Sequence, residues 1–245
     1  MIDREPDRLG KFQTTSWSLI IAAGQQPTTS AEAALVELCQ LYWYPVYVFI
    51  RRRGYSKDDA SDLTQEFFAR LLEKNYLKEA DPVRGRFRSF LLACVSHFLS
   101  NEWNRERAQK RGGGSLPVAL DAIAAECRYS LEPASQETPE RLYERLYALS
   151  LLDQVQASMR RKYAQDNQLD RFEKLAPLLT EGNTVQYAEI ARQWNITEGS
   201  VKLAVHRFRK EYRGLLRQKI AETVASPADV DDEIRFLLAA LGNSS

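Results

Sequence analysis

A chain of 245 residues, 44% hydrophobic and 27% charged, is long enough for one large domain or two small ones with real cores, and has the make-up of an ordinary soluble protein. Its net charge of +1 excludes a uniformly basic coat, so any nucleic-acid contact must come from local clusters. Three scattered cysteines, Cys39, Cys94 and Cys127, imply no disulfide framework and a reducing interior. The charged start Asp3-Arg4-Glu5-Pro6 is no signal peptide, and the apolar run Tyr42 to Ile50 is too short to span a bilayer. A cytoplasmic location without membrane insertion is expected.

No stretch sustains strand-like alternation, so the expected fold class is all-α. Thr14 to Ala23 predicts a short apolar helix. Ala31 to Arg53 predicts a longer one, bent or divided at Pro45, with Gly54 closing it. Ser56 to Glu73 opens on a good capping residue with acids in its first turn. Here Asp58, Asp62 and Glu66 recur every four residues with Glu73 on the same stripe, while Leu63, Phe67 and Leu71 take another face. Three readings of the acids stand side by side: a solvated face, pairing with the chain's own basic helices, or a dock for a basic protein. Thr64 among them would change the local charge if phosphorylated.

A loop, Asn75 to Gly85, leads into a basic helix, Phe87 to Arg111. The stretch from Arg84 to Arg111 holds seven Lys/Arg against Glu102 and Glu106. Leu91, Val95, Phe98 and Leu99 form its apolar face. Beyond them, Asn101, Trp103 and Asn104 among arginines suit unstacked bases and backbone phosphate. The blander reading puts Trp103 in the core and leaves the arginines as solubilising charge. Gly112, Gly113 and Gly114 end the helix. Ser115 to Pro139 then reads as a linker with one short helical turn. Glu140 to Ala164 predicts a long helix, and Phe172 to Leu179 a shorter one interrupted at Pro177.

The stretch Tyr187 to Arg213 carries the pattern of a helix-turn-helix. Ala191 lets two helices approach, Asn195 tolerates positive φ, the pair Ile196 and Val201 locks the second helix, and Thr197 is placed to cap it. Val201, Ala204, Val205 and Phe208 share the inward face. Ser200, Lys202, Leu203, His206, Arg207, Lys210 and Arg213 are left outward, a face suited to a DNA major groove. A helical hairpin with a solvated basic face is the alternative. A last helix, roughly Pro227 to Leu241, places Ile234, Leu237, Leu238 and Leu241 on one stripe.

No catalytic set emerges. His97 and His206 are the only histidines, and Cys94 with His97 reads as core rather than zinc. Gly112 to Ser115 lacks the lysine and hydroxyl of a phosphate loop. The chain is expected to be no enzyme, with no cofactor and no metal.

The run Asp58-Asp59-Ala60-Ser61-Asp62-Leu63-Thr64-Gln65-Glu66-Phe67-Phe68-Ala69-Arg70-Leu71 resembles region 2.2, the core-polymerase-binding helix of sigma-70 family factors of the extracytoplasmic-function (ECF) class. Gly85-Arg86-Phe87-Arg88-Ser89-Phe90-Leu91 and the helix after it resemble regions 2.3 and 2.4. Tyr187 to Ala191, Gly199 to Lys202 and His206 to Lys210 resemble region 4.2. The likeness covers roughly residues 30–111 and 140–222; the long linker, the segment before Tyr187 and the tail beyond Ala221 depart from the family pattern.

The resemblance implies two helical domains joined by a linker. Residues 1–30 would be an N-terminal extension, 31–111 the polymerase and −10 domain, 112–139 the linker, 140–222 the −35 domain and 223–245 a helical tail. It implies a polymerase-binding set of Asp58, Asp59, Asp62, Gln65 and Glu66. The −10 set would be Arg84, Arg86, Arg88, Asn101, Trp103, Asn104, Arg105, Arg107, Lys110 and Arg111. The −35 set would be Ser200, Lys202, Leu203, His206, Arg207, Lys210 and Arg213. Core RNA polymerase and promoter DNA are the implied partners, with an anti-sigma factor or other regulator as an open candidate. The competing expectation is a helix-turn-helix regulator that works without polymerase; a nucleic-acid-processing enzyme would need a catalytic cluster that the chain lacks. The tail is expected either to cap its own domain or to meet a regulator.

Overall fold

The computed structural model describes residues 29–73, 86–108, 122–130, 137–179, 184–224 and 226–242. The expected helix Thr14–Ala23 and the loop Asn75–Gly85 lie outside the described residues, as do Gly112 to Gly114. Among the described residues every regular element is helical, so the fold is all-α. None of these helices is long and apolar enough to cross a membrane.

Helix α1, Thr29–Arg52, is the centre of the packing. From Leu41 to Ile50 every residue is buried. A helix that is apolar all round must be covered all round. Of the bend or division expected at Pro45, the division does not occur: the helix runs through it. A proline inside a helix costs about 3 kcal/mol, whereas each fully buried large apolar side chain contributes about 1.5–3 kcal/mol, and here Tyr42, Tyr47, Phe49 and Ile50 are all enclosed. Gly54, at φ 96°, turns the chain out of the helix.

Helix α2, Lys57–Glu73, starts under a reciprocal cap. The Asp59 N–H donates to Ser56 Oγ (3.1 Å), and that hydroxyl donates to Asp59 Oδ2 (2.6 Å). Leu63, Phe67 and Leu71 face the core. Thr64 is fully buried and donates to the Ala60 carbonyl at 2.6 Å, so it is no part of the acidic surface. Helix α3, Phe87–Ala108, lies alongside. Arg70 of α2 reaches Glu102 of α3 at 2.7 Å and stacks on Phe98, 5.1 Å from its ring centroid. Burial opposes the Arg70 charge, but the Glu102 and Glu66 carboxylates outweigh it and raise its pKa.

Where a linker with a single helical turn was expected, nine residues form helix α4, Ala122–Ser130. Polar side chains dock it on α1. Tyr47 donates its hydroxyl to Glu126, and Arg51 Nη2 lies 3.0 Å from Glu126 Oε1. Arg51 also stacks on Tyr129 at 4.7 Å, and Arg128 on Tyr44 at 4.4 Å. Burial raises the Glu126 pKa, yet the Tyr47 and Arg51 hydrogen bonds prevail and hold it below the usual carboxylate value.

Helix α5, Pro139–Gln165, has Thr138 as its cap and proline at its first position. It makes the most extensive interface with α1. Tyr42 and Tyr147 stack at 4.8 Å, and the Tyr147 hydroxyl donates to Thr223 Oγ1 at 3.3 Å. Helix α6, Leu169–Leu175, runs into a 3-10 turn at Ala176–Leu178, the form the Pro177 interruption takes. Helices α7, Thr184–Trp194, and α8, Glu198–Ala221, follow. A capping box at Ser226 and a 3-10 turn at Pro227–Asp229 lead to α9, Val230–Gly242. On α9 the buried stripe is Val230, Glu233 and Leu237, with Ile234 and Leu241 beside it. Leu238, expected on that stripe, is 63% exposed, because it stands about 100° around the helix from Leu237.

Two apolar cores result. The larger joins α1, α2, α3 and the first half of α5 to Ile220, Val224, Val230 and Leu237. The smaller gathers Met159, Phe172, Leu175, Leu178, Ile190, Val201, Val205 and Phe208. Helices α5 and α8 enter both.

Two outcomes follow. Phe208, which meets Phe172 at 5.8 Å and Tyr163 at 5.6 Å, should cost about 3–5 kcal/mol when cut to alanine, read by urea unfolding of the smaller core. Glu126, with its lowered pKa, contributes stability that is present above the unfolded value of 4.5 and lost as pH falls through the lower folded value. Thermal melts between neutral and acid pH should therefore fall less steeply for Glu126→Gln than for the parent chain.

Candidate nucleic-acid interface

The corner between α7 and α8 is built as its residues dictate. Asn195 sits at φ 52°, a left-handed conformation that asparagine tolerates better than most residues. The Ile196 N–H donates to the Ala191 carbonyl at 3.0 Å, and the Ser200 N–H to Thr197 Oγ1 at 3.2 Å. Ala191 and Ala204 are buried where the two helices approach. Ile196 departs from expectation. It is 41% exposed, and Val201 alone of the pair is enclosed. Ile196 instead lines an open cavity of about 440 Å³ with Arg171, Trp194, Ser200, Leu203 and Arg207.

All seven outward residues, Ser200, Lys202, Leu203, His206, Arg207, Lys210 and Arg213, are exposed. Leu203 shows 49% of its surface to solvent. The neighbouring Arg209 does structural work: its Nε and Nη2 donate to the Leu178 carbonyl at 3.0 and 2.6 Å, holding α8 on the 3-10 turn. Glu211 ties α8 to α5, accepting from the Tyr163 hydroxyl at 3.1 Å and pairing with Lys162. Burial, then the Glu211 charge, pushes the Tyr163 hydroxyl up to about 12. The interior side of α8 is therefore pinned at both flanks while the basic side stays open.

On α2, Asp58, Asp59, Asp62 and Glu66 are exposed and Gln65 is half-buried. Glu66 is paired with Arg70 four residues on, so part of the acidic stripe is drawn into the contact with α3. Asp59 is engaged by Ser56. Asp58 and Asp62 make no ion pair among the described residues.

The basic helix α3 divides. Asn101 is exposed, with its amide 3.4 Å from His97 Nδ1; His97 is itself exposed, so the core reading of Cys94 and His97 holds for neither side chain fully, Cys94 being half-buried. No cluster of metal-ligating side chains occurs among the described residues. Trp103, Asn104, Arg105 and Arg107 lie in the helical backbone of α3, whereas Arg84, Lys110 and Arg111 lie outside the described residues. At the other end, Arg88 is only 4% exposed. Its Nε donates to Glu233 Oε1 at 2.8 Å and its Nη1 to Glu144 Oε1 at 3.0 Å, and its guanidinium lies 3.5 Å from the Phe236 ring centroid. Arg86 is half-buried, its Nε 2.8 Å from Glu233 Oε2.

Sequence reasoning missed Glu144, Glu233 and Phe236. One signal was there: Glu233 stands three residues after Val230 and four before Leu237, an acid on the apolar stripe of α9.

Over 228 residues, which are 89% of this chain and 78% of the relative, the sequence is 26% identical to "ECF RNA polymerase sigma factor SigE" of Mycolicibacterium smegmatis. The likeness is distant and runs through nearly the whole chain. It supports the sigma-factor resemblance carried by the motifs. No protein-family model matches the chain, and no solved structure matches it.

The cap of α8 gives a direct check on how this corner is held. Thr197→Ala should lower stability by about 1 kcal/mol and Thr197→Gly by only a few tenths, measured by chemical denaturation monitored at the helical circular dichroism band.

Proposed function

We propose that this chain is an alternative sigma factor of the ECF type, which binds core RNA polymerase and brings it to a class of promoters. The observation that carries the reading is one chain with two separate outward faces of opposite sign: acids on α2, and Lys202, Arg207, Lys210 and Arg213 on α8. The distant relative's name points the same way. In this reading Asp58, Asp59, Asp62, Gln65 and Glu66 dock on a basic surface of the polymerase. Helix α8 enters the major groove of the −35 element from its N-terminal end, with Ser200, Lys202 and Leu203 toward base edges and the arginines toward phosphates. The α3 segment, with Arg86, Arg88, Asn101, Trp103, Asn104, Arg105 and Arg107, holds the −10 element at the junction of duplex and melted strand. Melting needs no catalysis by this chain, because captured single-strand bases offset the cost of unpairing.

Co-purification with bacterial core RNA polymerase tests the reading. The parent chain should bind, and a triple Asp58/Asp62/Glu66→Lys variant should lose binding at least tenfold, on the order of 1.4 kcal/mol. Failure of the parent chain to bind polymerase, together with tight duplex binding, would replace the sigma reading with a polymerase-independent helix-turn-helix regulator. On duplex DNA, Arg207→Gln and Lys210→Gln should each make the log–log salt dependence shallower by about 0.9, the loss of one phosphate contact.

A further inference from the structure

An acid on the apolar stripe of a helix is costly unless it meets a partner. Glu233, 1% exposed, meets two. Its Oε1 accepts from Arg88 Nε and its Oε2 lies beside Arg86 Nε, both at 2.8 Å. Phe236, one turn on, lies against both guanidinium groups, 3.5 Å from Arg88 and 5.9 Å from Arg86. Glu144 takes the second side of Arg88, and the Tyr143 hydroxyl donates to the Arg88 carbonyl at 3.1 Å. A helix that served only to cover apolar surface would be better served by leucine at this position. Instead, the carboxylate accepts from Arg88 Nε and forms an ion pair with Arg86 Nε, taking one donor of each guanidinium that could otherwise meet a phosphate.

One backbone bond lies nearby: the Phe87 N–H donates to the Thr223 carbonyl at 3.4 Å, joining the start of α3 to the residues just after α8, while an exposed ion pair, Arg217 with Asp231, links α8 to α9.

We propose that α9 is a built-in inhibitor of nucleic-acid binding, with Glu233 standing in for a backbone phosphate on the Arg86–Arg88 pair. The Arg88 guanidinium, enclosed by Glu233, Glu144 and Phe236, has no free face for DNA, and Arg86 turns its Nε to the same carboxylate, so docking of α9 and full use of this pair on nucleic acid exclude one another. Engagement of DNA by this end of α3 requires α9 to leave. The inference rests on the assignment of Arg86 and Arg88 to the nucleic-acid surface.

The test uses the full chain and a dye-labelled single-stranded DNA oligonucleotide of mixed sequence, read by fluorescence anisotropy. Glu233→Gln should bind roughly tenfold more tightly than the parent, with a log–log salt slope steeper by about 1.4, the signature of two added phosphate contacts on a single strand. Asp232→Asn, which removes the same charge from the exposed side of α9, should stay within about twofold of the parent. The double variant Arg88→Gln/Glu233→Gln should lose most of the gain. A second measurement needs no variant: amide deuterium exchange over 230–242 in the parent chain should rise when the oligonucleotide saturates it. A folded Glu233→Gln chain with parental affinity overturns the proposal, and so does equal protection of 230–242 with and without DNA. The polymerase experiment reads α2 instead. A chain that binds polymerase but shows no Glu233 effect keeps the sigma reading and loses this one; a Glu233 effect without polymerase binding does the reverse.

Discussion

Helix α5 has to be covered twice, on different sides, and the remainder of the architecture follows from how it manages this. Tyr143, Tyr147, Leu151, Val155 and Met159 are all buried and stand four residues apart. With 3.6 residues per turn, each step of four advances about 40° around the axis, so this row winds to nearly the opposite side between its first and last members. Its early residues therefore pack on α1 and its late ones on the helix-turn-helix. Helix α8 does the same in reverse, with Val201, Val205 and Phe208 in the smaller core and Ile220 in the larger. Neither helix can shift without disturbing both cores, because close-packed interiors transmit displacement.

Charge is used in two distinct ways on this scaffold. The basic face of α8 is solvated and unobstructed, suited to long-range attraction of a polyanion. The arginines at the helix junctions are spent internally: Arg51 on Glu126, Arg70 on Glu102, Arg88 on Glu144 and Glu233. Of these only Arg88 with Glu233 is fully buried; a buried pair adds little net stability, because desolvation offsets most of the attraction, yet removing one partner is strongly destabilising. The Arg51 pair joins α4 to α1, and the Arg88 pairs join α9 and α5 to the start of α3. Exposed pairs such as Arg160 with Glu173 carry no such weight. The small net charge of the chain thus conceals cations left open to solvent and cations already neutralised within the fold.

The corner between α7 and α8 and the capped α2 were legible in the residues because their determinants are local. Asn195 at positive φ, Thr197 on the Ser200 N–H and Ser56 on the Asp59 N–H each act within three residues. Other features misled for a physical reason. Pro45 reads as a bend or a division, and only the surroundings of α1 show that the helix is not divided there. Thr64 reads as surface beside acids, yet a one-residue step around the helix places it fully inside. Ile196 and Leu238 look like core in an apolar pattern but face solvent, since a pattern gives spacing and leaves open which neighbour arrives to cover it. The α4 segment offered little apolar periodicity, and its docking depends on Tyr47 and Arg51, more than seventy residues earlier in the chain.

By itself, then, the sequence determined the helices other than α4, the caps at Ser56 and Thr197, the corner at Asn195 and the outward basic face of α8, all consequences of backbone preference and of periods of three and four. Only the tertiary structure decided which charges remain open. Arg88 looks like any other arginine of a basic helix; its burial against a carboxylate 145 residues away comes from the winding of α5 and α8 that brings the tail back to the larger core, and pairing at such separation leaves no local mark on Arg88 and, on Glu233, only that of an acid on an apolar stripe.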